Sequence, residues 1–235
     1  MIRSLENRRV LLTGVSRGVG YEIAKLFLEQ GARVIGAARD RERLERSGRA
    51  LSKLGEFHPV AFDLAAQGFE RAAVESVAAH FGGALDVLFN NAAIMASPHG
   101  IEGEPAGPLE RSMQVNVVAV HGLTLALLPA LLRGTEPRIV NTSSGAGNFE
   151  SVGMNDIASY RVSKFALNGL TMSWAFALRG RVAVNAFDPG WVKTDMGGPN
   201  APGTPDESAR GALALVTLPF AESGKFWKDG RTIAW

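Results

Sequence analysis

The chain of 235 residues contains no cysteine and only two tyrosines. Without cysteine it cannot form disulfides, thiolate metal sites or a cysteine nucleophile, and this composition fits a reducing compartment. We therefore expect a cytoplasmic protein. The four histidines are scattered without ligand-like spacing, so we expect no metal site.

Long apolar runs and long basic runs are also missing. No segment reaches the roughly 18 unbroken apolar residues of a membrane-spanning helix, and the first residues lack the apolar run of a signal peptide. The 25 basic and 23 acidic residues give a formal net charge of only +2 and form no basic block. We therefore expect neither nucleic acid nor a membrane as a partner.

Short apolar runs alternate with helical patterns along the whole chain. The predicted strands are Arg9–Thr13, Ala32–Ala38, Val60–Phe62, Leu85–Phe89, Arg138–Asn141 and Val182–Ala186. The predicted helices lie near Ile23–Leu28, Phe69–Phe81, Leu109–Leu132, Ala158–Leu178 and Pro205–Thr217, and a short tail follows. This alternation predicts a single α/β domain over residues 1–235, with a Rossmann-type, doubly wound and mostly parallel sheet flanked by helices. Ligands of this fold bind beyond the carboxyl ends of the strands.

A glycine-rich turn separates the first strand from the first helix. It reads Thr13-Gly14-Val15-Ser16-Arg17-Gly18-Val19-Gly20. Gly14 permits a tight turn, Gly18 lets the backbone approach a ligand, and Gly20 allows close helix packing, so that N–H groups at the helix start hold a pyrophosphate. The alternative is a turn with a structural role only.

The second strand ends where an acidic residue would bind the 2′-hydroxyl of an adenosine ribose. Ala38 occupies that position, Arg39 follows it, and Arg17 lies inside the glycine turn. Two guanidinium groups favour a 2′-phosphate, and hence NADP(H), because they form charge-assisted hydrogen bonds with it. The alternative is that both arginines are solvated surface charges.

Each of the two tyrosines is followed by a lysine four positions later, which places each pair on one face of a helix. Tyr21 and Lys25 follow the glycine turn directly, where packing explains the tyrosine. Tyr160 and Lys164 follow a hydroxyl cluster, Asn141-Thr142-Ser143-Ser144-Gly145, at the end of a predicted strand. The second pair is therefore the predicted catalytic pair.

Taken together, these motifs resemble the classical short-chain dehydrogenase/reductase family, and within it the Sniffer and C-factor-like carbonyl reductases. The resemblance runs from Thr13 to Thr194, and the subgroup resemblance rests on the Tyr160–Asn168 segment and the C-terminal tail. It implies an NADP(H)-dependent enzyme that interconverts a small carbonyl compound and an alcohol. It also implies a homodimer or homotetramer, formed through the helices near Leu109–Leu132 and Ala158–Leu178.

The resemblance implies a catalytic tetrad of Asn116, Ser144, Tyr160 and Lys164. Tyr160 would act as general acid or base, Lys164 would lower its pKa and bind the nicotinamide ribose, and Ser144 would bind the carbonyl oxygen. Asn116 would position a water molecule or kink its helix, unless it belongs to a chance polar face. The implied cofactor-binding residues are Gly14, Ser16, Arg17, Gly18, Val19, Gly20, Arg39, Asp63, Leu64, Asn90, Ala92, Tyr160, Lys164, Pro189, Gly190, Val192 and Thr194.

The sequence departs from the family pattern in two places. Ser144 lies farther before Tyr160 than is usual, so that counting selects Gly147; we align on serine, infer a longer loop over the substrate at Phe149–Ile157, and keep Ser143 as the fallback. Ala93 replaces a glycine after Asn90-Asn91-Ala92, which leaves room for a shifted backbone near the cofactor. Asp63 is alternatively a helix cap.

Two irregular segments, Met95–Pro108 and Gly197–Asp206, are expected to be pocket walls, with Trp191 and Met196 facing the substrate unless they belong to the core. Because the second segment is short, we expect an open pocket. Two other functions remain as alternatives: a nucleotide-binding regulatory protein with little turnover, and a sugar-nucleotide epimerase or dehydratase, for which the chain lacks a separate substrate domain.

Overall fold

The computed structural model describes residues 4–151, 154 and 156–235. Within them, short segments rich in valine, leucine, isoleucine and alanine form strands, because branched apolar side chains pack well on both faces of a covered sheet. The strands are β1 (Arg9–Thr13), β2 (Arg33–Ala38), β3 (Phe57–Ala61), β4 (Val87–Asn90), β5 (Arg138–Thr142), β6 (Ala183–Phe187), β7 (Phe226–Lys228) and β8 (Arg231–Ile233).

The strands of the described residues form one eight-stranded sheet in the order β3-β2-β1-β4-β5-β6-β7-β8. Neighbouring strands from β3 to β7 run parallel, and β8 pairs antiparallel with β7. The predicted Rossmann-type α/β fold is therefore confirmed. The strand order reverses between β1 and β4, which opens a crevice at the carboxyl ends of these two strands.

Helices cover both faces of the sheet. They are α1 (Gly18–Glu29), α2 (Arg41–Leu51), α3 (Glu70–Phe81), α4 (Pro108–Met113), α5 (Ala119–Leu131), α6 (Ala158–Ala177) and α7 (Pro205–Val216). Apolar residues of α1, α2 and α7 form one core on the first face. Those of α3, α5 and α6 form a second core on the other face.

Helix α2 is absent from the sequence-based prediction, because its sequence is dominated by arginine and glutamate. It nevertheless buries Leu44, Gly48 and Leu51 against the first core. The carboxylate of Asp40 caps the helix by accepting a hydrogen bond of 3.0 Å from the N–H of Arg43. A polar helix with one narrow apolar face gives too weak a periodic signal to be recognised from sequence.

The C-terminal segment, expected to be a tail, forms β7 and β8. Strand β7 extends the sheet beyond β6, with Phe226 paired to Ala186 and Trp227 to Phe187. Each of these strands has only three residues, which is too few for an alternating pattern to be visible. The prediction was also wrong at β3, which begins at Phe57 rather than at Val60.

One long helix, Pro108–Leu131, contains a π-helical turn, Gln114–Val118, that joins α4 to α5. In this turn the N–H of Ala119 bonds to the carbonyl of Gln114, five residues earlier. The helix is long and apolar enough to cross a membrane, but half of its most apolar window is buried inside the protein. A core helix gives the same signal, so this finding is weak evidence for a membrane span.

Candidate active site

A cleft of about 1060 Å³ lies at the carboxyl ends of the parallel strands. The predicted site residues that line it are Gly14, Ser16, Arg17, Val19, Gly20, Arg39, Asp63, Leu64, Ala92, Ser144, Tyr160, Lys164, Pro189, Gly190, Val192 and Thr194. Three predicted residues, Gly18, Asn90 and Asn116, do not line it. Their places in the structure are described below.

The glycine turn closes tightly on itself. The N–H of Gly14 donates a hydrogen bond of 2.7 Å to the carbonyl of Ala37 on β2, and the φ of Gly14 is +81°, a conformation that favours glycine. A Cβ atom at Gly20 would overlap the carbonyl oxygen of Gly14. Gly20 therefore lets the first turn of α1 approach the end of β1, as expected from its position.

Helix α1 begins at Gly18, immediately beside the cleft. Its N-cap residue, Arg17, forms no side-chain cap hydrogen bond, and its first turn contains no acidic residue. The N–H groups at this end are thus left for an anion, which the helix dipole also favours. The α-carbon of Gly18 faces Thr194, whose Cγ2 would lie 3.2 Å from an added Cβ, and the role of Gly18 in cofactor binding stays a prediction.

The far end of the cleft is bordered by three arginines. Arg39 follows β2, Arg17 lies in the glycine turn, and Arg43 comes from the first turn of α2. Arg17 forms an ion pair with Asp195, and a guanidinium nitrogen of Arg43 lies 3.2 Å from a carboxylate oxygen of Asp40. Arg43 was missed at the sequence level because α2 was missed.

The Asn90-Asn91 segment follows β4 and lies next to the glycine turn. The side chain of Asn90 is buried and donates a hydrogen bond of 2.9 Å to Asn141, and its place beside the cofactor stays a prediction. Asn91 instead borders the cleft, and its Nδ2 donates to the carbonyl of Thr13 at 2.9 Å. Ala93, the departure from the family pattern, also lines the cleft.

Asp63 and Leu64 line the cleft just after β3. The carboxylate of Asp63 accepts a hydrogen bond of 2.9 Å from the N–H of Ala65, which closes a local turn. The alternative of a helix cap is wrong, because the next helix, α3, begins only at Glu70.

Tyr160 and Ser144 meet at the centre of the cleft. Tyr160 lies in the first turn of α6, and its side chain lies close to that of Ser144, which follows β5. Ser144 also caps a short 3₁₀ turn, where its Oγ accepts a hydrogen bond of 3.1 Å from Ala146 N–H. The fallback residue Ser143 is fully buried. A Cβ at Gly147 would lie 2.6 Å from the Cβ of Lys164, so that position packs against α6.

Lys164 lies one turn after Tyr160 and is almost completely buried. Its Nζ atom donates a hydrogen bond of 2.7 Å to the carbonyl of Thr142 and lies 5.5 Å from the centre of the Tyr160 ring. The other pair, Tyr21 and Lys25, is elsewhere: Tyr21 packs against the first core, and Lys25 pairs with Glu22. Tertiary position thus separates the two pairs that share one spacing.

Burial shifts the pKa of both groups. Burial raises the pKa of Tyr160 to about 12, although the hydrogen bond from Ser144 lowers it. Burial lowers the pKa of Lys164 to about 7, against the opposing charge of Asp188. Both shifts have the same cause, since desolvation disfavours the phenolate of Tyr160 and the ammonium of Lys164. The expected lowering of the Tyr160 pKa by Lys164 and the oxidised nicotinamide stays a prediction.

Asn116 lies in the π-helical turn and is buried beneath the cleft. Its amide binds both backbone groups of Ile94, accepting from N–H at 2.9 Å and donating to C=O at 2.8 Å. It also donates to the hydroxyl of Ser163 at 3.0 Å. Asn116 therefore connects the long helix and α6 to the cleft-lining Ile94, and the chance-polar-face alternative does not apply.

The substrate end of the cleft is open and has an apolar rim. Of the two predicted pocket walls, only Met95 and Gly197 line the cleft, together with the neighbouring residues Ile94 and Met196. Met154, Trp191 and Met196 on its rim are 60%, 61% and 40% exposed, which fits the expected open pocket. Trp191 and Met196 thus belong to the cleft and not to the core.

The loop predicted to pass over the substrate is tied to α6 by Arg161. The guanidinium of Arg161 is buried and donates to Asp156 at 2.7 Å and to the carbonyl of Ser151 at 3.1 Å. Ser151 and Ile157 line the cleft as well. Residues 152, 153 and 155 of this loop lie outside the described residues.

Sequence reasoning also missed Asp188 and Lys228, which line the cleft. Asp188 was read as part of the Pro189-Gly190 segment, and Lys228 belongs to the unrecognised β7.

Two of the four histidines, His58 and His80, stack on each other with ring centres 3.8 Å apart. Among the described residues no group of three potential ligands could hold a metal ion.

The sequence pattern of a family described as short chain dehydrogenase matches residues 8–204. The NADPH-bound carbonyl reductase from chicken fatty liver superposes with a TM-score of 0.90 at 31% identity, over 98% of this chain and all of that chain. The carbonyl reductase Sniffer of Drosophila melanogaster gives a TM-score of 0.88 at 28% identity, over 98% of this chain and 100% of its own. A 3-oxoacyl-[acyl-carrier-protein] reductase of Vibrio cholerae is 30% identical over 82% of this chain and 77% of its own.

Proposed function

The chain belongs to the short chain dehydrogenase family, and we propose from this premise that it is an NADPH-dependent reductase of ketones or aldehydes, which can also run in reverse. One observation carries the proposal: Tyr160, Ser144 and Lys164 meet in the same cleft that begins at the uncapped start of α1. A protein that only binds a nucleotide needs the glycine turn, but it does not need a hydroxyl pair beside a buried lysine.

The residues at the dinucleotide end fit NADP(H). The free N–H groups at the start of α1 suit a pyrophosphate, and Ala38 leaves space where an acidic side chain would repel a phosphate. Arg17, Arg39 and Arg43 provide the positive charge that a 2′-phosphate requires. When bound, the cofactor supplies or accepts the hydride. Relatives of known structure, including the chicken carbonyl reductase, carry NADPH or NADP.

The chain's own residues then bind and protonate the substrate. Ser144 Oγ donates a hydrogen bond to the carbonyl oxygen and fixes its orientation. Tyr160 Oη transfers its proton to the same oxygen as the alcohol forms, and takes it back in the oxidative direction. Lys164 holds positive charge close to the phenol, which favours the phenolate that Tyr160 becomes. Asn116 does not line the cleft, but its two hydrogen bonds to the backbone of Ile94 fix the position of that cleft-lining residue.

The substrate end favours a bulky, uncharged carbonyl compound. Its rim consists of Met154, Trp191 and Met196, and methionine side chains adapt to substrates of different shape. The charged groups that border this end are already paired: Arg161 with Asp156, and Lys228 with Asp188. We therefore expect aromatic ketones, diketones and quinones to be better substrates than carboxylates.

The test is consumption of NADPH and of NADH with a panel of aromatic ketones, diketones, quinones and aldehydes. We expect turnover with NADPH that exceeds turnover with NADH. NADPH binding without turnover of any panel member would favour the regulatory alternative.

We also propose that the protein forms a homodimer or homotetramer through α5 and α6. Both helices expose large apolar side chains to the solvent, although each buries its other face in the core. These side chains are Leu125 on α5, Val118 and Leu132 at its two ends, and Val162, Phe165, Met172 and Phe176 on α6. Apolar surface of this extent on neighbouring helices favours burial against a second copy.

A further inference from the structure

Lys164 is a cation in an environment that disfavours charge. Its side chain is almost fully buried, and removing an ammonium group from water costs several kcal/mol unless nearby groups compensate. The carbonyl of Thr142 accepts one of its hydrogen bonds, but a carbonyl dipole balances only part of a full charge. The proposed reaction requires this side chain to be positive, so a negative group near it is needed.

Asp188 provides such a group. It follows β6 directly and is only 4% exposed. Because Phe187 on β6 pairs with Thr142 on β5, Asp188 lies one residue beyond the partner of the carbonyl group that binds Lys164. Its Oδ1 accepts a hydrogen bond of 2.9 Å from Gly190 N–H, and its Oδ2 lies 3.6 Å from Lys228 Nζ. A Cβ added to Gly145 would lie 3.1 Å from Oδ2, so the carboxylate lies against the backbone that immediately follows Ser144.

We propose that Asp188 is a positioning residue whose carboxylate keeps the buried Lys164 side chain charged. Lys228, on the solvent side of Asp188, offsets part of the negative charge of that carboxylate. The effect of Asp188 on turnover rests on the proposed function, whereas its effect on the charge of Lys164 does not. Lys228 has 42% of its side chain exposed, so solvent weakens its pairing with Asp188 and leaves part of the carboxylate charge acting on the cleft.

The direction of the effect follows from the charges. The negative charge of Asp188 raises the pKa of Lys164, which burial lowers, and it also raises the pKa of Tyr160. It thereby supports the positive lysine and the protonated phenol, the pair of states needed to donate a proton to a carbonyl. The titratable and charged groups that line this part of the cleft are Tyr160, Arg161 and Lys164 on α6, Asp156 before it, Asp188 after β6 and Lys228 on β7.

The chain allows Lys164 to be observed directly and without any substrate. It contains six lysines, at Lys25, Lys53, Lys164, Lys193, Lys225 and Lys228. In protein labelled with ¹³C at the lysine ε-carbon, NMR resolves one signal per lysine, and an exposed lysine titrates at about pH 10.4. We expect one signal to titrate near neutral pH, and Lys164→Arg assigns it by removing it.

The decisive variants are Asp188→Asn and Lys228→Met. We expect D188N to lower the titration midpoint of Lys164 by about one pH unit, because an opposite charge is lost. K228M is expected to raise it, because Asp188 then acts without its solvent-side partner. In D188N/K228M the midpoint should stay close to that of D188N, since Lys228 acts mainly through Asp188. An unchanged midpoint in D188N, or a K228M midpoint that does not rise, would overturn the proposal.

K228M keeps the test valid if D188N does not fold, because 42% of the Lys228 side chain is exposed and its Nζ lies 3.6 Å from Asp188, farther than a hydrogen bond. A kinetic measurement separates this inference from the proposed function. If Tyr160→Phe retains turnover, the proposed function fails. If Tyr160→Phe is inactive but the Lys164 midpoint does not respond to Asp188, only the present inference fails.

Discussion

The Nζ atom of Lys164 lies 5.5 Å from the centre of the Tyr160 ring, on the same face of α6. The side chain of Lys164 is anchored by the carbonyl of Thr142 at the end of β5, and Tyr160 lies beside Ser144, two residues after that carbonyl. Helix α6 and strand β5 thus hold an acid, a cation and a hydroxyl in one place. This arrangement leads to the first prediction.

Tyr160→Phe should lower kcat by about 10²- to 10⁴-fold, the range typical of a lost general acid, because phenylalanine has no proton to give. NADPH affinity should change little. The matched control is Tyr21→Phe, which removes the hydroxyl of the other Tyr-x-x-x-Lys pair and should leave kcat unchanged. Equal losses in both variants would show that the effect is structural.

Removing positive charge at the ribose end should weaken NADPH binding selectively. We expect Arg39→Asp and Arg43→Asp each to raise the Kd for NADPH by more than about tenfold, roughly 1.4 kcal/mol, and to leave NADH affinity nearly unchanged. Fluorescence titration measures both. Arg46→Asp is the control, since Arg46 lies on the same helix but pairs with Glu42 outside the cleft. If Arg46→Asp weakens NADPH binding as much, the effect is only long-range electrostatics.

Glycine 20 is expected to tolerate no side chain. Gly20→Ala places a Cβ against Gly14 O and Asn91 Nδ2, so the turn must open and both cofactor affinity and Tm should fall. Gly169→Ala is the control: Gly169 is helical, and nothing lies within 4 Å of an added Cβ. It should stabilise the protein by about 0.5–1 kcal/mol, the usual gain of alanine over glycine in a helix. A Gly20→Ala protein with normal NADPH affinity would contradict the assigned role.

Asp86 should contribute to stability at neutral pH and lose that contribution in acid. Burial by itself raises the pKa of Asp86, but hydrogen bonds from Arg9 and from the N–H groups of Arg9 and Thr135 outweigh it, and the pKa is held below its ordinary value. A carboxylate with a lowered folded-state pKa stabilises the protein above its unfolded pKa of 3.8, and this stability disappears as the pH falls through the lower folded value.

Asp86→Asn should therefore lower the free energy of unfolding at pH 7 by about 3 kcal/mol, because it leaves Arg9 without its buried partner. The loss should shrink as the pH falls below about 4. Urea unfolding at several pH values measures it. Asp206→Asn is the control, because Asp206 pairs with Arg210 at the exposed surface, where solvent weakens the pair, and the substitution should change stability little.

The proposed assembly predicts a response to charge on α5 and α6. Phe176 is 74% exposed and Leu125 is 54% exposed. Phe176→Glu or Leu125→Glu should convert the oligomer to monomers in analytical ultracentrifugation, because a carboxylate in an apolar interface loses its hydration. Leu54→Glu lies outside α5 and α6 and should have no effect. A wild-type protein that is already monomeric at micromolar concentration would refute the assembly.

The sequence by itself determined the features that depend on neighbours along the chain. The glycine turn, the end of β1 and the start of α1 are consecutive, so their geometry follows from local backbone rules. The four-residue spacing of Tyr160 and Lys164 fixes a shared helix face in the same way. The alternation of strands and helices likewise predicted the parallel sheet, because each period is visible in a short window.

Only the tertiary structure decided which of two equal Tyr-x-x-x-Lys pairs faces a cleft, and whether Ser143 or Ser144 accompanies it. It also brought Arg43, Asp188 and Lys228 to the cleft from a polar helix, a loop and a three-residue strand, none of which has a recognisable pattern. The protonation of Tyr160 and Lys164 was beyond the sequence as well. Burial sets it, and burial is the sum of contacts from segments that are distant along the chain and adjacent only after folding.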